Sequence, residues 1–280
     1  MIADELTAIL FSSLIALFAN WIAWRKGFYQ WSPAPAPEIS FKNVAVVFAI
    51  FVVIERFIAP FIVGSLVKAF QIPLDNLNAI ILNFCISLSI LILILYYSKK
   101  ALQTAFTSIW KSKTTFSPLH NFGIGILTLF LAFPVVIAVG EFFDLILYTI
   151  YQLESYEQVA VKILRTSLAS PLTTFFALLT IIGIAPILEE FLFRGTLQTY
   201  LKKRVGPKAA IIIASAVFAC FHFAPEQGLG NLSLLPSLFT FACFLGFIYE
   251  RQGSLFASIG LHFAFNLLNC IRIIASPETS

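Results

Sequence analysis

Charge is what this sequence has least of: 11% of its 280 residues are Asp, Glu, Lys or Arg, while 59% are hydrophobic and mean hydropathy is +0.92. A balance this apolar excludes an ordinary soluble domain. The net charge of +4 is small and scattered, which excludes a nucleic-acid partner. Cysteine is sparse too. Cys85, Cys220, Cys243 and Cys270 all lie in apolar runs, none at C-x-x-C spacing, so zinc or dithiol redox chemistry of that kind is excluded and they read as small buried hydrophobes. Basic residues are missing ahead of the first apolar run, where Asp4 and Glu5 stand instead, and no small-x-small site follows it. The run is therefore expected to stay as a first membrane helix rather than act as a cleaved signal. Internal repeats and low-complexity segments are absent as well.

What is abundant is apolar sequence in runs long enough to cross a bilayer. Eight segments stand out, at about 6–24, 43–67, 77–97, 122–151, 171–193, 208–223, 232–249 and 254–275, the sixth and seventh being short. Basic residues divide unevenly between the connections. Those at 25–42, 98–121, 194–208 and 250–253 hold twelve, Arg194 left out, against four elsewhere: Lys68, Lys162, Arg165 and Arg272. The positive-inside rule then places both termini on the non-cytoplasmic side. The expected fold is an all-α, polytopic membrane helix bundle of about eight transmembrane helices. Residues 1–152 form an N-terminal region of about four helices without a recognisable motif, and 153–280 form a second region that carries the polar residues of interest. WSPAPAP (31–37) reads as a stiff extended connection. Residues 98–116 read as an amphipathic helix on an anionic leaflet, and 196–204 as a continuation of the fifth span.

An ionisable residue at the bilayer centre costs at least ~2.5–3.5 kcal/mol on insertion scales, so each one inside a span is a functional candidate. LEEFLFRG (188–195) places Glu189, Glu190 and Arg194 on the fifth span; His222 lies on the sixth, and His262 with Asn266 on the eighth. Glu190 and Arg194 are four apart on one helical face and can pair. Glu189 is rotated by about 100° and points to another neighbour. Phe218 with His222, and His262 with Asn266, repeat the i, i+4 spacing. Counted at 1.5 Å per residue from the nearest basic loop, Glu189, His222 and His262 lie at depths of about 17, 21 and 13 Å. The three can converge on one cavity.

These residues form the patterns E-E-x-x-x-R, F-x-x-x-H and H-x-x-x-N in order on successive apolar helices, and GSL (253–255) precedes the last. In this the chain resembles the CAAX protease and bacteriocin-processing family of intramembrane peptidases, over about 171–272. The resemblance implies hydrolysis of a peptide bond at the membrane, with Glu189 and His222 activating a water, His262 and Asn266 stabilising the oxyanion, and Glu190, Arg194 and Phe218 as supporting motif residues. A buried carboxylate is a suitable base and fixed N–H donors suit a developing oxyanion. Glu189, His222 and His262 also resemble a catalytic zinc set with an open position, so zinc and catalysis without a cofactor both stand. The H-E-x-x-H helix of zinc peptidases is absent, which favours the second. No G-x-S-x-G surrounds a serine, and GLGN (228–231) lacks the aspartate of an aspartyl-type site.

The partners implied are the bilayer and a peptide or lipidated-protein substrate, in an inner membrane if the cell is bacterial or the endoplasmic reticulum if eukaryotic. Two rivals remain. One is a self-immunity or peptide-binding protein of the same fold acting by contact alone. The other is a small transporter, for which Glu55-Arg56 ahead of Pro60 would be a coupling site, although that pair reads first as structural.

Overall fold

The computed structural model describes residues 2–30, 36–70, 76–111, 117–152 and 159–275, all helical or connecting. The WSPAPAP connection falls almost wholly outside these residues, as does the end of the segment expected at 98–116. Among the described residues thirteen α-helices follow one another. The N-terminal part comprises α1 (Ile2–Arg25), α2 (Phe41–Val53), α3 (Ala59–Phe70), α4 (Asn76–Leu102), α5 (Thr104–Trp110) and α6 (Pro118–Tyr151). The C-terminal part comprises α7 (Val159–Ser167), α8 (Pro171–Leu178), α9 (Ala185–Glu190), α10 (Thr199–Val205), α11 (Pro207–Phe221), α12 (Asn231–Gln252) and α13 (Leu255–Ala275).

Local chemistry explains several of the boundaries. Ser117-Pro118 and Ser170-Pro171 both start helices: the serine is extended, as a residue before proline prefers, and its hydroxyl accepts from a backbone N–H three residues on, His120 N at 3.2 Å and Thr173 N at 3.2 Å. The proline fills the first helical position, where no donor is required. At the other end of α12, Gly253 takes the left-handed conformation (φ 62°) and returns its N–H to Tyr249 O at 2.7 Å.

Among the described residues seven helical stretches are long and apolar enough to span a bilayer: Leu6–Arg25, Phe41–Ser65, Leu77–Leu102, Pro118–Tyr151, Pro171–Val205, Pro225–Gln252 and Leu255–Ala275. The chain is thus an all-α, multi-pass integral membrane protein. This corrects the expected count of eight. The sixth expected span forms α11, whose 15 residues reach about 22 Å against a hydrocarbon core of about 30 Å. It begins at Gly206-Pro207, where glycine has φ 81°, and it stops at His222. The fifth span does continue through 196–204, as expected.

Two π-helical segments interrupt that fifth span, Leu179–Ile184 and Phe191–Gln198, and a third, Ile54–Ile58, joins α2 to α3. Such insertions are uncommon and concentrate at functional sites. All three lie beside the residues described below.

The interior belongs to the C-terminal helices. The buried share of the span rises from 11% for Phe41–Ser65 to 44% for Leu255–Ala275. The long helix α6 lies against α1, α12 and α13, so it joins the two regions of the chain. It meets α13 at two glycines. A Cβ on Gly125 would stand 2.0 Å from Ala257 O, and one on Gly260 would stand 2.2 Å from Phe122 O. Small residues at such a crossing let backbones approach where lipid offers no hydrophobic drive for association.

Helix α5 is amphipathic, but its apolar face is turned to protein. Ala105 and Ile109 are buried, and Phe106 and Trp110 rest on Phe191 with ring centroids 5.9 and 6.0 Å away. It supports the fifth span. Cysteine also departs from expectation: Cys270 is buried and Cys243 half-buried, but Cys85 and Cys220 are exposed.

Candidate active site

Glu189 and Glu190 end α9, and the π-helical segment beginning at Phe191 carries Arg194. The expected i, i+4 pair forms. Arg194 Nη1 donates to Glu190 Oε1 at 3.0 Å, with both side chains fully buried. A buried pair gains from further bonds to its remaining groups; Arg194 Nε and Glu190 Oε2 have none. Arg194 Nη2 donates to the Ala242 carbonyl at 3.0 Å, and the guanidinium lies 4.6 Å from the Phe218 ring centroid. The His222 ring also lies against Phe218, with centroids 4.6 Å apart and the planes tilted by 38°.

His222 sits immediately beyond α11. Its Nδ1 donates to the Phe218 carbonyl at 2.8 Å, one of the acceptors that a helix C-terminus leaves unused. A carbonyl can only accept, so Nδ1 carries the proton and Nε2 presents its lone pair. That Nε2 is 3.8 Å from Glu189 Oε2.

His262, on α13, is buried and spans both glutamates. Its Nδ1 is 2.9 Å from Glu190 Oε1 and its Nε2 is 3.8 Å from Glu189 Oε2. Glu189 Oε2 is itself enclosed and has no hydrogen-bond partner. A buried carboxylate oxygen without a partner is costly unless the site supplies one during function.

Asn266 stands one turn further along α13 and is held elsewhere. Its Nδ2 donates to the Ile181 carbonyl at 2.8 Å. The π-helical register explains the need for that donor. The Ala185 N–H bonds to Thr180 O in the π-helical segment, and the next residue, Pro186, has no N–H. Ile181 O is thereby left without a donor four or five residues on, and Asn266 supplies one from another helix.

A cavity of about 400 Å³ opens beside Glu189 and His222, and His262 and Asn266 are not among the residues that line it. Glu189 and Phe193 of the fifth span form one wall, and Cys220 to Phe223 at the end of α11 form the next. The third wall is Phe51, Val52, Glu55 and Arg56. The first region of the chain thus contributes to the site, which sequence reading missed. The signal was the intramembrane charge of Glu55-Arg56 itself. Nothing in the sequence said which neighbour that turn would face.

Carboxylate oxygen and imidazole nitrogen are zinc ligands by type, and both imidazoles have the orienting Nδ1 bond such ligands use. Their spacing is wider than a metal requires. Atoms sharing a zinc at bond lengths of about 2.0 Å stand about 3.3 Å apart, whereas Glu189 Oε2 is 3.8 Å from each nitrogen. Among the described residues no group of three His, Cys, Asp or Glu is placed to hold a metal ion. The arrangement does not fit a bound metal, and no step is derived through one.

Fold and site together define a multi-pass helical membrane protein with a carboxylate–imidazole cluster enclosed among its C-terminal spans. Residues 171–268 match the family described as Type II CAAX prenyl endopeptidase Rce1-like. Glu189, Glu190, Arg194, Phe218, His222, His262 and Asn266 all fall inside that stretch, so the resemblance read from the three motifs is borne out there. No curated protein and no solved structure matches the chain.

Proposed function

We propose that the chain is a CAAX-type intramembrane endopeptidase that hydrolyses a peptide bond with a water activated by Glu189 and His222. The observation that carries this reading is Glu189 Oε2, enclosed, unpartnered and 3.8 Å from the Nε2 atoms of both His222 and His262, on the wall of a cavity. A water between Glu189 and His222 donates to both acceptors and gives its proton to the carboxylate as it attacks the peptide carbonyl. The proton then passes to the leaving amine. His262 faces the same point and is the donor to the oxyanion in this reading. Asn266 uses one amide hydrogen on Ile181 O and keeps the second for the oxyanion. Glu190, Arg194 and Phe218 hold His262 and His222 in place. The substrate class is a lipidated or membrane-bound peptide, met in an inner membrane or in the endoplasmic reticulum according to the cell.

The test is cleavage of S-farnesylated and unmodified peptides by purified protein in bilayer discs, with Glu189→Gln and His222→Ala as controls and a chelator arm. Cleavage by the wild type, loss of ~100- to 10,000-fold in each control and no effect of the chelator are expected. A folded wild type that binds peptide and cuts none would overturn the reading in favour of a contact-acting immunity or binding protein.

A further inference from the structure

The GLGN stretch (228–231) belongs to none of the three motifs, yet it closes a loop on one of their histidines. The chain leaves α11 at His222 and becomes α-helical again at Asn231, the first residue of α12. The loop opens the span Pro225–Gln252, and backbone outside a helix at membrane depth must find its partners in protein or water. Packing does little to hold it: Phe223, Pro225, Glu226, Gly228 and Leu229 are all exposed.

Asn231 supplies what packing does not. Its Oδ1 accepts from the Ala224 N–H at 3.2 Å, and its Nδ2 donates to the carbonyls of Ala224 at 2.7 Å and Gly228 at 3.0 Å. Both amide hydrogens and the oxygen are thus engaged. Ala224 is extended (φ −122°, ψ 113°), and the two bonds to it copy the exchange between neighbouring strands. They fix the backbone two residues beyond His222. Gly228 permits the return by taking φ 51° and ψ −124°, a region that side chains disfavour. The clamp has a firm base, since Asn231 is buried and α12 packs against α6, α11 and α13.

His222 is therefore held from both directions in the chain. Behind it, Phe218 O binds Nδ1; ahead of it, Asn231 binds Ala224. The imidazole is 32% exposed, so contacts with neighbours restrain it less than these bonds do. Its Nε2 stands 3.8 Å from Glu189 Oε2, and a displacement of about 1 Å in a catalytic group costs on the order of 100-fold.

Resting on the peptidase reading, we infer that Asn231 is a positioning residue for His222: by clamping Ala224 it sets where Nε2 stands relative to Glu189. It acts through the backbone of the loop and takes no part in the proton transfers.

The experiment measures cleavage of an S-farnesylated peptide per folded molecule by wild type, Asn231→Ala and Ser233→Ala. Ser233 lies in the same turn and bonds Gly140 O of α6 at 3.3 Å, so its variant controls for the loss of one bond there. Asn231→Ala is expected to lower kcat by about 10- to 100-fold with KM changed less than about twofold, and Ser233→Ala to leave both unchanged. If Asn231→Ala does not fold, Asn231→Asp carries the same measurement, since it keeps the volume and an acceptor for Ala224 N–H. A second arm needs no turnover. Nitrogen spectra of 15N-histidine-labelled protein, in mildly alkaline solution where imidazole is neutral, should show His222 protonated at Nδ1 in wild type. The Asn231 variant should mix its tautomers while His262 keeps its signals. An unchanged His222 spectrum, a rise in KM with kcat unchanged, or an equal fall in the Ser233 control would overturn the proposal. An Asn231-dependent His222 spectrum in a wild type that cuts nothing would sink the peptidase reading and keep the clamp. Cleavage with a His222 spectrum indifferent to Asn231 would do the reverse.

Discussion

Nδ1 of His262 lies 2.9 Å from Glu190 Oε1, the same oxygen that accepts from Arg194 Nη1 at 3.0 Å. The second glutamate of the motif thus holds a histidine and an arginine that come from different helices. Oε2 of both glutamates lacks a hydrogen bond, but the first, one position earlier, makes no such double contact and lines the cavity instead. On the proposed reading, adjacent identical residues divide into a support and a reactive group.

That division is testable by stability. Glu190→Gln leaves a fully buried Arg194 without its counter-charge, and breaking a buried pair from one side typically costs about 3–5 kcal/mol. A marked fall in Tm of the protein in detergent is expected. Glu189→Gln removes no such partner and should leave Tm nearly unchanged. Equal shifts in the two variants would contradict the division.

Asn266 should show both kinds of effect. Asn266→Leu strips the Ile181 carbonyl of its donor at 2.8 Å, and leaving a buried acceptor unsatisfied costs about 1–3 kcal/mol. If its second amide hydrogen serves the oxyanion, turnover per folded molecule should also fall by ~100- to 1000-fold. Activity normalised to folded protein separates the two, and a rate loss that vanishes on normalisation would leave Asn266 with the structural role alone.

The crossing of α6 with α13 admits no extra atom. Gly125→Ala and Gly260→Ala would place a Cβ at 2.0 and 2.2 Å from backbone oxygens of the opposite helix. Overpacking costs about 1–3 kcal/mol or more when the obstacle cannot move. Both variants should lower Tm and yield. Gly123→Ala meets nothing within 4 Å and should be neutral within about 0.5 kcal/mol, which makes it the control on the same helix.

Cys220 reports on the cavity. It lines the wall beside His222 and is exposed, whereas Cys270 is buried. With Cys85 and Cys243 changed to serine, a membrane-impermeant maleimide should modify Cys220 and spare Cys270, since reaction requires access of water and reagent to the thiol. A bound peptide should slow that modification. Failure of the reagent to reach Cys220 would mean the cavity is closed to water from both sides.

Much of this architecture is written in one dimension. The length of apolar runs identifies membrane helices because a bilayer core has a fixed thickness, and seven of the eight expected segments form helices of spanning length. Charge inside such runs marks the site, because its insertion cost makes it rare. The i, i+4 spacing of Glu190 with Arg194 predicts their contact, because helical geometry fixes which residues share a face. Where the sequence falls short, the missing information is about neighbours. Serine-proline starts are local and readable, but the early stop of α11 at His222 and the π-helical turns are not recoverable from apolar length. Nothing local distinguishes a charged pair that lines a cavity from one that merely lies in a span, so Glu55 and Arg56 could be recognised only once α2 was placed against the fifth span and α11. The face that α5 presents to Phe191 is the same case: an amphipathic stripe specifies that one side is covered, and packing alone decides whether lipid or protein covers it. The sequence by itself determined which residues are too polar for the bilayer. Only the tertiary structure decided which of them share a cavity, because helices 130 residues apart meet through side-chain packing that no local pattern encodes.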